Sequence, residues 1–147
     1  MDILILRDGR ESAAKCSLTP LRGLAGLRFQ SWRTEERYAV GKRILLHPEG
    51  ELLSAADGGC DLLLLDCAWR RVPAMLASLD GELTLRRLPP LRTAYPRRSK
   101  LFEDPGEGLA SVEALYAALA ILGHARRELL DGYRWREAFL SANPGLA

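Results

Sequence analysis

The sequence is short of the residues that build metal sites and disulfide frameworks. Its 147 residues include three cysteines and two histidines. The cysteines, Cys16, Cys60 and Cys67, form no Cys-x-x-Cys pair, and only His47 and His124 are available to complete a zinc site. We therefore expect no structural metal.

Long apolar runs are absent as well. No apolar stretch approaches the roughly 20 residues that a membrane-spanning helix needs. The first residues mix charged and apolar side chains instead of forming a signal peptide, so we expect a cytoplasmic protein that does not enter a membrane. The sequence also lacks a glycine-rich phosphate loop and any Ser/His/Asp order, which argues against P-loop nucleotidases and triad hydrolases.

What the chain does have is the composition of a folded globular protein. Hydrophobic residues make up 48% and charged residues 27%, which is too apolar for a disordered chain. The length suits one domain, or a compact pair of subdomains that share a core. The formal net charge of +2 is by itself weak evidence for a nucleic-acid partner.

Apolar runs predict strands in the first part of the chain. They lie at residues 2–7, 27–32, 44–46, 62–65 and 83–85. Pro48 is expected to end the third strand, because proline cannot continue a central ladder. Helices are predicted at residues 18–24 and, after Asp66, from Trp69 to Leu79, so the pattern is that of an α/β fold.

The second part of the chain is predicted to be helical. Residues 88–108 are rich in proline, arginine and glycine and predict an ordered loop or crossover. Ser111 is the expected N-cap of a helix that Gly123 closes, and two more helices are predicted, ending at Gly132 and at Asn143. We therefore predict an α/β part at residues 1–90 and a helical part at 91–147.

Asp66 and Trp69 form the first candidate site. Asp66 ends an apolar strand just before a helix, where open α/β sheets have their ligand crevice. Trp69 follows by three residues and could stack on an adenine or a sulfonium beside it. The alternative, which spacing alone favours, is that Asp66 caps the helix and Trp69 belongs to the core.

Two predicted helix starts form a second candidate. Ser17 and Ser111 each offer backbone amides suited to a carboxylate or phosphate, although each can also be read as a simple cap. Cys16 is interpreted as a small buried residue and not as a nucleophile, because no histidine base is fixed near it.

A basic stretch suggests RNA as a partner. Its arginines and lysine could bind phosphates, with Tyr95 and Phe102 available to stack on bases. A solvated charged loop explains the composition equally well. The candidate RNA-binding residues are Arg70, Arg71, Arg92, Arg97, Arg98 and Lys100.

A series of motifs in chain order resembles one known family. The motifs are Lys15-Cys16-Ser17, Asp66-Cys67-Ala68-Trp69, Arg87-Leu88-Pro89-Pro90-Leu91, the run from Leu109 to Leu119, and Tyr133-Arg134-Trp135 with Phe139 and Asn143. Together they resemble the archaeal and eukaryotic aminocarboxypropyltransferases that complete a hypermodified pseudouridine in small-subunit ribosomal RNA. The resemblance covers nearly the whole chain and is strongest from Leu62 to Asn143.

The resemblance implies a fold and a cofactor site. The fold would be SPOUT-like and knotted, with an N-terminal mixed sheet with helices and a helical C-terminal part, and the cofactor S-adenosylmethionine would bind between the two parts. Ser17 and the Ser111 amide would hold the cofactor carboxylate, Leu65 would meet the ribose, and Trp69 would pack on the methyl group. The adenine would be walled by Leu46, Pro48, Leu88, Leu109 and Ala114.

The resemblance also implies a reaction. A ring nitrogen of a uridine-type base would take the 3-amino-3-carboxypropyl group and methylthioadenosine would leave, with Asp66 as catalytic base or as an orienting group. Two other functions stay open: a SPOUT-type RNA methyltransferase and a non-catalytic RNA-binding assembly factor. The expected partner is small-subunit rRNA or a pre-ribosomal particle, and the expected state is a monomer. Where the family carries Asn-Pro-x-Asn-Tyr-Gly, this chain has Tyr95-Pro96-Arg97-Arg98-Ser99.

Overall fold

The computed structural model describes residues 1–9, 18–95 and 109–146. Its contacts divide the chain into two units. The first unit consists of Met1–Leu52 and Gly59–Arg87, and the second of Leu53–Gly58 and Leu88–Ala147. The division into residues 1–90 and 91–147 stays a prediction.

The first unit is built on a five-stranded sheet. Its strands are β1 (Ile3–Asp8), β2 (Leu27–Trp32), β3 (Tyr38–Leu52), β4 (Leu62–Asp66) and β5 (Leu79–Arg87). Their order across the sheet is β2-β1-β4-β3-β5, and every pairing among them is parallel. The α/β class is therefore confirmed, whereas the expected mixed sheet is wrong for the described strands. Each connection crosses over and returns the chain in the same direction, which parallel pairing requires.

The apolar runs explain which strands are central. In β1 and β4, residues such as Ile5, Leu6, Leu62 and Leu63 are fully buried, as expected for strands covered on both faces. By contrast, β2 mixes buried ends with exposed middle positions, which suits an edge strand. The carboxyl ends of the two central strands are therefore held by the best-packed part of the first unit.

The third strand corrects a prediction. Pro48 does not end β3, which continues to Leu52. The ladder between β3 and β5 breaks after Leu46 and resumes at Glu51, both of which align with Arg86. Pro48 lies inside this bulge, where the ladder does not need the N–H group that proline lacks.

The helices of the first unit are shorter than predicted. The chain after β4 forms a 3-10 turn at Trp69–Arg71, then α1 at Val72–Ala77, and Leu79 already begins β5. Proline at the second helical residue explains the late start of α1, because proline is tolerated only in the first turn. Of the helix predicted at residues 18–24, a 3-10 turn at Thr19–Leu21 is present.

The second unit contains helices α2 (Ser111–Ile121) and α3 (Arg136–Ala142). Ser111 is the first helical residue of α2 and not its N-cap, which is Ala110. The carboxylate of Glu113, the third helical residue, accepts the Ala110 N–H at 2.8 Å, as the acidic residue of a capping box does. The helix predicted to end at Gly132 is only a 3-10 turn, Arg127–Leu130.

Candidate functional site

The parallel sheet brings charged residues to one edge. Arg7 and Asp8 end β1 and Asp66 ends β4, and the register of these neighbouring strands aligns Arg7 with Asp66. Carboxyl ends of parallel strands meet at the same edge, where open α/β sheets bind their ligands. This edge of the first unit is therefore the candidate site.

A cavity of about 60 Å³ lies next to the residues that flank Asp66 in the sequence. It is lined by Leu46, His47, Leu65, Cys67, Trp69 and Val72. Leu46, Leu65 and Trp69, which were predicted from three separate segments, come together here. Trp69 is 44% exposed, so the interpretation of Trp69 as a core residue is wrong. A hollow of this size holds one group of a ligand.

Asp66 makes a buried ion pair with Arg7. The Arg7 Nε donates to the Asp66 Oδ2 at 2.9 Å, and the two side chains are 6% and 12% exposed. The guanidinium carbon of Arg7 lies 5.4 Å from the centroid of the Phe29 ring, within the range of a cation–π contact. Asp66 is therefore held in place by a strongly oriented partner on the neighbouring strand.

A second acid–base pair lies at the same edge. The buried carboxylate of Asp8 lies 3.8 Å from the Nε of Arg71, whose side chain is about one-third exposed. Arg71 therefore has a partner within the unit. Arg70 is exposed, as a residue that contacts RNA must be. Pro48 is exposed too and is not among the residues that line the cavity.

The remaining predicted residues are distributed as follows. The second unit contains the half-buried Leu88, Leu109, Ser111 and Ala114, and the exposed Arg92. Other candidates lie outside the described residues, namely Ser17, Arg97, Arg98 and Lys100.

Glu113 is the centre of a polar cluster in the second unit. It is fully buried, and its carboxylate accepts hydrogen bonds from the Thr93 hydroxyl at 2.6 Å and from the Ala94 N–H at 2.9 Å, besides that of Ala110. Burial and the negative charge of Glu113 raise the pKa of Tyr133 well above its usual range. One side chain thus joins the start of α2 to a segment about 20 residues earlier in the chain.

Asn143 fixes the neighbouring backbone. Its Oδ1 accepts the Arg92 N–H at 2.8 Å, and its Nδ2 donates to the carbonyls of Arg92 at 2.8 Å and Phe139 at 2.9 Å. Glu113 binds the side chain of Thr93 and the backbone of Ala94, so three successive residues of this segment are anchored, two of them through their backbone. The exposed side chain of Arg92 therefore extends from a fixed point.

Sequence reasoning missed Arg7, His47 and Glu113. The sequence could have indicated Arg7, because Arg7 directly follows the apolar run Ile3–Leu6 just as Asp66 directly follows the apolar run Leu62–Leu65. The only sequence feature that could have drawn attention to His47 is that the chain has just two histidines. Glu113 had no such feature, since acids in the first turn of a helix are usually exposed.

The described ranges contain neither a metal-binding cluster nor a membrane-spanning helix. Residues 1–9, 18–95 and 109–146 contain no group of three or more side chains that could hold a metal ion. Over the same ranges, no helix is long and apolar enough to cross a membrane.

Comparison with known proteins gives consistent matches. The family model "Ribosome biogenesis protein, C-terminal" matches residues 44–146. A 16S rRNA aminocarboxypropyltransferase of Halobacterium salinarum is 34% identical over 97% of this chain and 82% of its own. One of Methanopyrus kandleri with the same name is 37% identical over 56% of this chain and 47% of its own.

A solved structure extends the match to the fold. It is that of the SAM-dependent rRNA acp-transferase Tsr3 from Vulcanisaeta distributa, which is 25% identical, with a TM-score of 0.74 over 97% of this chain and 78% of its own. The fold and the family model together thus define an α/β protein of a ribosome-biogenesis family. More narrowly, the chain belongs to the 16S rRNA aminocarboxypropyltransferase family, which confirms the resemblance found in its motifs.

Proposed function

We propose that this chain transfers the 3-amino-3-carboxypropyl group of S-adenosylmethionine to a uridine-type base, pseudouridine, of small-subunit rRNA and releases methylthioadenosine. Membership of the family and the names of its relatives support transfer of the aminocarboxypropyl group to rRNA, while the pseudouridine acceptor and the methylthioadenosine product are our inference. The observation that supports it most is the cavity, where Leu46, Leu65 and Trp69 converge at the sheet edge that ends in Asp66.

The lining of the cavity fits part of a nucleoside cofactor. Leucine side chains and a 44% exposed indole offer the apolar and aromatic surface on which an adenine or a sulfonium packs well. When bound, S-adenosylmethionine would supply an electrophilic γ-carbon and methylthioadenosine as the leaving group. Trp69 would bury the methyl group and so turn a different carbon toward the acceptor.

Asp66 has an orienting role in this proposal or acts as the base that takes the proton from the ring nitrogen. The ion pair with Arg7 favours the orienting role, because a carboxylate oxygen bonded to a guanidinium is fixed in direction and already used as an acceptor.

The rest of the proposal concerns the second unit and the RNA. We infer that Ser17 and the Ser111 amide bind the cofactor carboxylate and that Leu88, Leu109 and Ala114 contact adenine. The exposed Arg70 and Arg92 and the partly exposed Arg71 would bind RNA phosphates, together with Arg97, Arg98 and Lys100. The SPOUT-like knotted topology, the monomeric state and the cytoplasmic location belong to the same proposal.

Differential labelling tests the reaction. The purified protein is incubated with small-subunit RNA and S-adenosylmethionine labelled either in the carboxyl carbon or in the methyl group. Carboxyl label in RNA without methyl label is expected. Methyl label in RNA would indicate the methyltransferase, and no transfer of either label to RNA or to pre-ribosomal particles would indicate a non-catalytic assembly factor.

The cavity is tested by Trp69→Ala. Loss of the indole removes the main stacking surface, so we expect the affinity for S-adenosylmethionine to fall by about tenfold or more. Leu52→Ala is the matched control, because Leu52 is a 49% exposed apolar residue of the same unit that does not line the cavity. Equal affinities of the two folded variants would remove Trp69 from the site.

A further inference from the structure

His47 lies in the bulge of β3 and lines the cavity. The ladder with β5 leaves out residues 47–50, and a bulge of this kind redirects side chains beside a site. His47 contributes an imidazole ring to a lining that also includes Leu46 of the same strand and Trp69 of the turn after β4. No role for this histidine follows from the motifs.

The bulge is anchored on both sides. A side chain at Gly50 would overlap the backbone of Leu85 and Arg86, so this glycine lies directly against β5. The Gly50 carbonyl also accepts a hydrogen bond from the Arg87 Nη1 at 3.0 Å. The contacts of Gly50 with β5 therefore fix the backbone of the segment that contains His47. The His47 ring lines the cavity from this fixed segment.

A backbone hydrogen bond sets the protonation pattern of the ring. The Glu49 N–H donates to the His47 Nδ1 at 3.1 Å, so Nδ1 is an acceptor and carries no proton. Of the two ring nitrogens, Nε2 is therefore the one that carries the N–H group. Within the described part of the chain, Nε2 has no hydrogen-bond partner.

We propose that His47 binds the ligand of the cavity by donating its Nε2–H to an acceptor atom of the nucleoside part of S-adenosylmethionine. This inference rests on the proposed function. The apolar and aromatic lining contributed by Leu46, Leu65 and Trp69 suits a nucleoside better than the charged amino-acid end. An oriented donor among apolar walls gives specificity, because a ligand without the acceptor leaves the donor unsatisfied.

Binding of methylthioadenosine tests the contact without RNA and without transfer. Its affinity is measured by titration calorimetry for the wild type, His47→Phe and His47→Gln. Phenylalanine keeps the ring shape but has no donor, so we expect about a fivefold to tenfold loss of affinity. Glutamine offers an amide N–H at similar reach and should recover most of the loss. Equal affinity of the wild type and a folded His47→Phe variant would overturn the proposal.

His124 provides the matched control. It is the other histidine of the chain, exposed in the second unit, with its Nε2 2.8 Å from the Gly58 carbonyl. His124→Phe should leave the affinity for methylthioadenosine unchanged. Thermal melting of each variant separates loss of folding from loss of the contact, and a loss of affinity that glutamine does not recover would count against a donor role.

Nitrogen-detected NMR reports the protonation of the His47 ring nitrogens. If His47 only packed against the ligand, its Nε2 signal would not respond to a new hydrogen bond. With two histidines the spectrum contains two ring patterns, and His47 should show a protonated Nε2 and an unprotonated Nδ1. Methylthioadenosine should shift the His47 Nε2 signal and leave His124 in place. A proton on Nδ1, or an unmoved Nε2 signal at saturating ligand, would overturn the proposal.

The outcomes separate this inference from the proposed function. If methylthioadenosine binding depends on His47 but no carboxypropyl label reaches RNA, the inference stands as a nucleoside contact and the proposed transfer fails. If label reaches RNA and His47→Phe binds normally, the transfer stands and the inference fails. If the wild type does not bind methylthioadenosine, the inference fails, and the labelling experiment decides the proposed transfer separately.

Discussion

Each of the two units contains a buried carboxylate, and the two carboxylates have different kinds of hydrogen-bond partner. In the first, Asp66 is paired with a charged side chain, Arg7, at the edge of the sheet. In the second, the fully buried Glu113 is satisfied by a hydroxyl and two backbone amides. Backbone donors are fixed in direction, so Glu113 ties two segments of the second unit together, whereas the Arg7–Asp66 pair joins two side chains at the carboxyl ends of neighbouring strands. Glu113 is therefore an architectural residue, while Asp66 lies at the sheet edge that contains the candidate site.

The largest expected effect comes from Glu113→Ala. The substitution leaves a hydroxyl and two N–H groups without their acceptor inside the unit, each at a cost of about 1–3 kcal/mol. We expect the free energy of unfolding to fall by roughly 3–5 kcal/mol. Chemical denaturation measures this loss. Glu137→Ala is the control, because that carboxylate is 90% exposed, and equal losses for the two variants would contradict an architectural role.

A smaller effect is expected from the Arg7–Asp66 pair. Asp66→Asn removes the negative charge that faces Arg7, and we expect a loss of roughly 2 kcal/mol of stability. Arg7→Met and the double variant complete a double-mutant cycle, in which the two residues should be coupled by about 1 kcal/mol or more. Additive effects would show that the pair contributes nothing.

The exposed pair of Arg37 and Asp80 is the matched control for that cycle. Arg37 Nη2 lies 2.6 Å from the Asp80 Oδ1, yet the two side chains are 61% and 56% exposed. Solvent screens such pairs, so the cycle on this pair should give no measurable coupling. A coupling equal to that of the buried pair would mean that burial at the sheet edge does not strengthen the interaction.

The smallest effect concerns Tyr133 and appears only at alkaline pH. Because folding raises its pKa, the unfolded chain loses the tyrosine proton first, near pH 10. Stability from this group is complete below pH 10 and is lost as the pH rises toward the folded value. Tyr133→Phe should therefore unfold less readily than the wild type above pH 10 and show little difference at pH 7. Parallel stability curves up to pH 11 would contradict this.

Part of the fold could be read from the sequence. The runs Ile3–Leu6 and Leu62–Leu65 predict central strands because consecutive apolar side chains need burial on both faces. The lengths of β3 and β5 could not be read, since they depend on pairing with each other across the sheet. Local signals at Pro48 predicted an end where a bulge continues the strand.

The candidate site was predictable to a similar extent. Leu46, Leu65 and Trp69 followed from the motif resemblance, and the structure brings them to one cavity. The partner of Asp66 was not predicted because it lies 59 residues away, on a strand whose register only the folded sheet defines. The burial of Glu113 was not predicted for the same reason, because its partner Thr93 lies 20 residues away in the sequence.

The sheet order has a consequence for how the chain acquires its structure. The pairing of β1 with β4 aligns Ile3 with Leu62, so this ladder closes a loop of about 60 residues. The conformational entropy of that loop is lost before the contacts of the ladder can compensate for it. During synthesis, β1 therefore emerges long before its inner neighbour. β1 can pair with β2 once residues 27–32 have emerged, but its other edge stays open until β4 follows, and an open strand edge exposes a nascent chain to aggregation.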